Sequence, residues 1–142
     1  DALGLTLWTV GFATEATADA QKTRFRRDPA NRGRFITTGL WACSRHPNYF
    51  GEILLWTGLT VTAGAGFTGW RWLGVVSAVL PALLLTRVSG IPLLEARADA
   101  RWGEDPAYRA WRDRTPVLVP RPPGWTARAE WVVPSDHEED RP

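Results

Sequence analysis

Three apolar windows divide the chain: residues 2–14, 53–69 and 72–94. A helix needs about 20 residues to cross about 30 Å of hydrocarbon. The window 72–94 is long enough and contains a single charge, Arg87, whereas 53–69 is borderline and 2–14 is too short alone. The pattern therefore predicts two membrane-spanning helices and, in the first window, the end of a third.

The residues inside these windows are compatible with helices in lipid. Prolines and glycines interrupt the third window, and membrane helices tolerate them where neighbours satisfy the freed carbonyls. Small residues, which let helices approach closely, fill the second window: Gly58, Ala63, Gly64, Ala65 and Gly66. A soluble protein with two core helices is the alternative, and the mean hydropathy of −0.21 is in keeping with it. The polar region 95–142 accounts for that mean, and two windows without a polar face favour the membrane.

Charge placement predicts an orientation. Basic residues are concentrated between the first two windows and after the third, whereas Arg71, between Trp70 and Trp72, stands alone between the second and third. Since basic loops remain on the cytoplasmic side, both concentrations are expected there: Lys22, Arg24, Arg26, Arg27, Arg32, Arg34 and Arg45, then Arg97, Arg101, Arg109, Arg112 and Arg114.

Composition sets the remaining limits. The chain opens on Asp1 and has no methionine, so we expect a piece of a longer protein. Cys43 is the single cysteine, which excludes an internal disulfide. We expect an all-α fold of polytopic membrane helices, the C-terminal part of a larger bundle, over residues 1–119. A polar, flexible tail is expected over 120–142, which is rich in proline and acidic residues.

A polar stripe follows the first window. Glu15, Asp19, Lys22 and Arg26 recur at helical spacing and share one face. A solvated helix end with an Asp19–Lys22 pair would explain part of the stripe. Glu15 directly follows apolar residues, and a carboxylate near hydrocarbon needs a partner or a function.

The stretch SRHPNYFGE at 44–52 carries most of the candidate chemistry. Pro47 suits the first turn of a helix because it has no N–H to leave unsatisfied. Asn48 and Glu52 then lie one turn apart on one face, with Tyr49 beside them.

Arg45 and His46 precede that helix, near its unpaired amide groups and positive dipole end. Such a place suits an anion such as phosphate or a carboxylate. A capping or hydrogen-bonding role for His46 is the alternative. No metal site is expected, because the other histidine, His137, lies in the tail and one histidine with one glutamate is a poor ligand set.

Four motifs occur in order: EATADAQ at 15–21, GLW at 39–41, RHPNYFGE at 45–52 and LLEARA at 93–98. With them, residues from about 5 to 123 resemble the C-terminal part of a bacterial membrane family, the steroid 5-alpha-reductase-like family. Its relatives are the steroid 5-alpha reductases and the C14-type sterol reductases.

The resemblance implies an integral-membrane enzyme that transfers hydride from NADPH to a conjugated carbon–carbon double bond of a steroid-like or other lipid substrate. It implies a bacterial inner-membrane location with basic loops cytoplasmic, and no nucleic-acid partner. Residues that match the cofactor-lining pattern are Glu15, Asp19, Arg26, Trp41, Asn48, Tyr49, Glu52, Arg97 and Tyr108. Arg45 and His46 join this predicted NADPH site through their place at the helix start. The catalytic acid is expected on earlier helices, and Tyr49 is the candidate within this chain.

One departure and two alternatives accompany this interpretation. Steroid-reducing relatives usually carry asparagine at the position of Glu15, which could pair here with Arg26 or a ribose hydroxyl. Isoprenylcysteine carboxyl methyltransferases, which use S-adenosylmethionine, are also similar through RHPxYxG and a pattern like Glu95 with Tyr108. The stripe and NYFGE favour the reductase. A non-enzymatic lipid-binding or assembly subunit is the third possibility.

Overall fold

The computed structural model describes residues 2–64, 66 and 68–123, and this part is helical without β-strands. Its α-helices are α1 (Ala2–Arg27), α2 (Pro47–Gly64), α3 (Val76–Leu83), α4 (Ile91–Trp102) and α5 (Pro106–Arg114). Short 3-10 segments cover Pro29–Asn31, Gly39–Ala42 and Gly69–Val75, and a π-helical segment covers Leu84–Val88. The all-α prediction is confirmed for these residues. Most of the predicted tail, 124–142, and Ala65 lie outside them.

Local sequence signals account for the ends of the helices. After α1, Asp28 accepts a hydrogen bond from the Ala30 amide at 2.9 Å and Pro29 opens the next turn. Asp105 caps α5 in the same way, accepting from the Ala107 amide at 2.8 Å. Pro47 begins α2, as the sequence predicts. These residues either satisfy a free amide or have none to satisfy.

Helices α1 and α2 pack antiparallel, and glycines spaced by seven residues form their contact. Gly4 lies against Gly58, and Gly11 lies against Gly51. A Cβ atom added to Gly58 would be 2.7 Å from the Gly4 carbonyl oxygen, and one added to Gly51 would be 2.6 Å from the Glu15 amide nitrogen. The two backbones therefore touch, which only residues without side chains permit. Of the small residues that the second window offered, Gly58 serves this contact.

The helical run Trp72–Trp102 is the one part of the described chain long and apolar enough to cross a membrane, by length and composition only. The second predicted span, residues 53–69, is not helical throughout, because α2 ends at Gly64. Many side chains of the run are exposed, including Leu73 at 68 % and Val79 at 57 %. The sequence predicted two whole spans, and the described structure supports one candidate.

The buried core lies at the polar end of the molecule. Phe35 packs edge-on against Tyr108, with ring centroids 5.2 Å apart, and Trp111 lies 5.7 Å from Phe35. Tyr108 is 1 % exposed and Trp111 7 %. These rings hold α5 against the loop that follows α1, so the shape of this end depends on aromatic packing.

Residues 115–121 lie along residues 43–46 through backbone hydrogen bonds. The Arg45 amide donates to the Pro116 carbonyl at 2.9 Å, and the His46 amide donates to Val117 at 3.1 Å. At the other end, the Arg121 amide donates to the Cys43 carbonyl at 2.9 Å. The end of the described chain thus closes over the segment that precedes α2.

Candidate functional site

Glu95 of α4 joins the two residues that precede α2. Its Oε2 pairs with Nη1 of Arg45, and its Oε1 lies 2.7 Å from Nε2 of His46. The side chains of Arg45 and His46 are 13 % and 8 % exposed. A carboxylate held between two such groups offsets the cost of burying the guanidinium. Arg45 and His46 are therefore already engaged within the protein.

Ser44 fixes the backbone of the same segment. Its side chain is fully buried, and its hydroxyl donates to the Leu118 carbonyl at 2.8 Å and accepts from the His46 amide at 3.2 Å. The amides of Arg45 and His46 are also taken, by residues 116 and 117. The predicted anion site at the start of α2 thus lacks two of the amides it would have used.

Tyr49 connects this engaged segment to a second group of side chains. Its ring stacks on His46 with centroids 5.7 Å apart and an interplanar angle of 11°. On the other side, its charge environment includes Glu52 and Asp19. We call the partly open group around it the α1–α2 polar cluster: Glu15, Asp19, Asn48, Tyr49 and Glu52.

The side chains of the α1–α2 polar cluster differ from the engaged ones in having no hydrogen bond or ion pair to any other described residue. The close contact at Gly51 brings Glu15 beside the turn of α2 that carries Glu52. Burial, then the charges of Glu52 and Asp19, raises the pKa of Glu15. Burial, then the charges of Glu52 and Asp19, also raises the pKa of the Tyr49 phenol. The cluster offers hydrogen-bonding groups that no other described residue uses.

Trp41 and Lys22 form a further contact on α1, close enough to Asp19 for its charge to act on Lys22. The Trp41 indole donates to the Ala18 carbonyl at 3.1 Å, and Trp111 donates to the Trp41 carbonyl at 3.2 Å. The Lys22 ammonium lies 4.8 Å from the centre of the Trp41 ring. Burial, followed by the charge of Arg26, lowers the pKa of Lys22. Trp41 is thus part of the core, and Lys22 packs on it.

Tyr108 lies at the centre of a third polar contact, between α4 and α5. Its hydroxyl donates to Oδ1 of Asp99 at 3.0 Å, and Arg112 donates to the same oxygen at 2.6 Å. Burial, together with the hydrogen bond to Asp99, raises the pKa of Tyr108 to about 12. Asp99 is the residue that the sequence did not single out, and its position one turn after Glu95 was the available signal.

We expect the ionisation of Tyr108 to lower the free energy of unfolding at high pH. An unfolded tyrosine ionises near pH 10, whereas folded Tyr108 keeps its proton up to about pH 12. Its contribution is therefore complete below about pH 10 and disappears as the pH rises from about 10 to about 12, a loss of about 3 kcal/mol at most. Chemical unfolding of the wild type and of Tyr108→Phe should show a steeper fall in the wild type. Equal slopes would contradict this. Tyr49, whose pKa is also raised, is present in both proteins, so its own titration cancels in the comparison.

The predicted site residues thus divide into three sets. Trp41, Arg45, His46 and Tyr108 are engaged in contacts within the protein. The α1–α2 polar cluster remains available, and Arg26 and Arg97 are exposed. Binding of a cofactor by any of them remains a prediction. Sequence analysis assigned Glu95 to the methyltransferase pattern alone, yet the structure places it at the centre of the engaged set.

A family model described as "Protein of unknown function (DUF1295)" matches residues 1–115. The chain belongs to this family. The match is in keeping with the steroid 5-alpha-reductase-like resemblance of the motifs. It covers α1 to α5, so the engaged residues and the α1–α2 polar cluster all lie within the DUF1295 region.

Two curated proteins are similar to this DUF1295 chain. A "Probable O-methyltransferase ustE" of Ustilaginoidea virens is 32 % identical over 68 residues, which are 48 % of this chain and 24 % of that protein. An uncharacterized protein of Schizosaccharomyces pombe is 27 % identical over 96 % of this chain and 42 % of its own length. The chain thus spans less than half of either relative. No solved structure matches it.

Proposed function

We propose that this DUF1295 chain is the cofactor-binding part of a membrane enzyme that reduces a conjugated carbon–carbon double bond of a lipid-like substrate with NADPH. The observation that carries the proposal is the α1–α2 polar cluster, whose side chains form no hydrogen bond or ion pair with another described residue, although Arg45 and His46 in the adjacent segment are both paired with Glu95. Among the described residues, no polar atom of this cluster is buried without a partner, so these groups reach solvent and can exchange water for a ligand.

Different residues of the chain suit different parts of the NADPH molecule. Arg45 is neutralised by Glu95, so phosphate binding falls to exposed cations near the same end, Arg26 and Arg97. Arginine suits this role because its planar guanidinium binds phosphate through two hydrogen bonds. Carboxylates such as Glu52 can accept hydrogen bonds from ribose hydroxyls, and Asn48 can bond an amide. The bound nicotinamide would supply the hydride, and the protein would supply orientation.

The substrate side of the proposal rests on the apolar surface. Exposed residues such as Leu73 and Val79 lie on the candidate span, and a lipid-soluble substrate would reach the site from that side. The catalytic acid is proposed to lie on helices that precede this chain in the complete enzyme. Tyr49 is the alternative donor, because its phenol belongs to the α1–α2 polar cluster and its ring stacks on His46. A bacterial inner membrane, with the basic end cytoplasmic, is the proposed location.

Calorimetric titration of the detergent-solubilised chain tests the cofactor. We expect NADPH to bind more tightly than NADH, because the 2′-phosphate adds a charge-assisted contact worth roughly 1.5–3 kcal/mol, or at least tenfold. Arg26→Gln should reduce the preference for NADPH over NADH, and Asn48→Ala should weaken the binding of both nucleotides. Arg114→Gln, which removes an exposed charge at the end of α5, is the control. Binding of neither nucleotide, or an unchanged Arg26→Gln titration, would reject the proposed site.

S-adenosylmethionine is the second candidate ligand, and two observations favour it. The α1–α2 polar cluster contains Glu15, Asp19 and Glu52, which suit a sulfonium cation better than a pyrophosphate. One similar protein is also named as a probable O-methyltransferase. In the same titration, S-adenosylmethionine is tested as the ligand, with Glu52→Gln as the variant that should weaken its binding. That result would favour a methyltransferase and reject the proposed reductase. Binding of neither ligand would favour a lipid-binding subunit.

A further inference from the structure

Tertiary contacts assemble a group of arginines around Trp102, at the end of the candidate span. The Trp102 indole donates to the Gly33 carbonyl at 2.6 Å, which places the loop after α1 against the end of α4. Arg32 and Arg34 flank Gly33, and the Arg101 guanidinium lies 4.8 Å from the centre of the Trp102 ring. We call Arg32, Arg34 and Arg101 the Trp102 arginine cluster.

The Trp102 arginine cluster is not neutralised within the described residues. All three side chains are exposed, and none forms an ion pair with a described carboxylate. Asp28 and Asp105 cap helix starts and keep their negative charge, but neither is within ion-pair distance of these arginines. The same is true of the exposed Glu104. The three guanidinium groups are therefore exposed without an ion pair among the described residues, and one of them lies over an aromatic ring.

We propose that the Trp102 arginine cluster binds the headgroups of anionic phospholipids. Arginines next to the cytoplasmic end of a span are attracted to anionic lipid, and tryptophan collects at the level of the headgroups. The inference depends on the membrane location in the proposed function and is independent of the cofactor.

The distance from the hydrocarbon is consistent with this role. Trp102 follows Leu94, the last residue of the apolar window, by eight residues of α4, or at most about 12 Å of rise. The headgroup zone is about 5–8 Å thick on each side. The cluster then lies within a Debye length of about 8 Å of the headgroups even if α4 leaves the membrane upright. A tilted α4 would bring it among them.

The cluster is separate from the proposed cofactor site. None of the hydrogen bonds, ion pairs or ring contacts among the described residues joins it to the α1–α2 polar cluster. Arg26 and Arg97, which we assign to cofactor phosphates, are not members. Loss of the cluster should therefore change lipid preference without changing nucleotide affinity.

Quenching of tryptophan fluorescence by brominated lipids in reconstituted vesicles tests the proposal. The difference between the wild type and Trp102→Phe isolates the signal of Trp102. We expect brominated phosphatidylglycerol to quench that signal with about tenfold or greater preference over brominated phosphatidylcholine, since each arginine near an anionic surface contributes about fivefold. The triple Arg→Gln variant of the cluster should lose the preference, and the triple Arg→Lys variant should keep most of it.

Controls separate lipid from other anions. Arg24→Gln/Arg109→Gln/Arg114→Gln removes the same charge elsewhere and should keep most of the preference at Trp102. If that variant loses as much as the cluster variant, or if Trp102 shows no preference, the proposal is wrong. Displacement of the lipid by millimolar inorganic phosphate would indicate a free-anion site instead. A tenfold loss of NADPH affinity in the cluster variant, with lipid preference intact, would assign these arginines to the cofactor.

Discussion

The double substitution Gly11→Ala/Gly58→Ala is expected to lower the Tm of the solubilised protein by roughly 10 °C or more. At each position, the new Cβ atom would be 2.7 Å from a carbonyl oxygen of the opposite helix, Gly51 for Gly11 and Gly4 for Gly58. A carbonyl cannot rotate away as a side chain can, so the helices must separate. At each site, overpacking costs about 3 kcal/mol and the better helix propensity of alanine offsets about 1 kcal/mol of it. The net loss of stability over the two sites is therefore about 4 kcal/mol.

Gly66→Ala is the matched control for this experiment. Among the described residues, a Cβ atom there would meet only the Ala63 carbonyl oxygen, at 3.8 Å, which is ordinary contact. We expect the free energy of unfolding to change by less than about 0.5 kcal/mol. Thermal unfolding followed by circular dichroism would report both variants. Equal stability of the double variant and the control would show that the helices do not need backbone contact.

Glu95→Gln is expected to be the most damaging change in the engaged set. The amide keeps the size of the side chain but removes the charge that Arg45 and His46 share. Nε of Arg45 is already buried without a hydrogen-bond partner among the described residues, so the guanidinium depends on Glu95. Breaking a buried pair costs about 3–5 kcal/mol, and the 23 % exposure of Glu95 reduces this to roughly 2–3 kcal/mol.

The same change tests whether the engaged segment positions the cofactor site. His46 stacks on Tyr49, so a displaced imidazole should disturb the α1–α2 polar cluster and weaken the proposed nucleotide binding about tenfold. Glu104→Gln removes an exposed carboxylate just beyond α4 and should alter neither property. Denaturant unfolding and calorimetry on the two variants provide the comparison. Wild-type stability in Glu95→Gln would contradict the role of the pair.

Sequence analysis predicted which residues lie at the polar end better than it predicted which of their side chains pair with one another. The stretch 44–52 does lie at the start of a helix, and Pro47 is its first residue. The sequence predicted an anion such as phosphate or a carboxylate beside Arg45 and His46, and the carboxylate found there is that of Glu95, 50 and 49 residues further along the same chain. Because several arginines and carboxylates are similarly spaced in the sequence, only their positions in the fold select this pair.

The spans were also predicted only in part. The apolar windows indicated where helices run, but not that α2 would end at Gly64. The signal for the α1–α2 contact was present, since Gly4 and Gly11 repeat at the same interval as Gly51 and Gly58. Such a repeat identifies a partner only when both helices are known and antiparallel.

The sequence by itself determined the helices and most of their ends, because proline, aspartate and glycine restrict or cap the backbone within a few residues. It also determined that the charged residues of the DUF1295 region gather beside apolar segments. Only the tertiary structure decided which charges are engaged and which are available. Glu95 reaches Arg45 and His46, residues 115–121 cover the segment before α2, and Glu15 meets the turn of Glu52. These contacts depend on burial and distance between segments far apart in the chain, which local preferences do not encode.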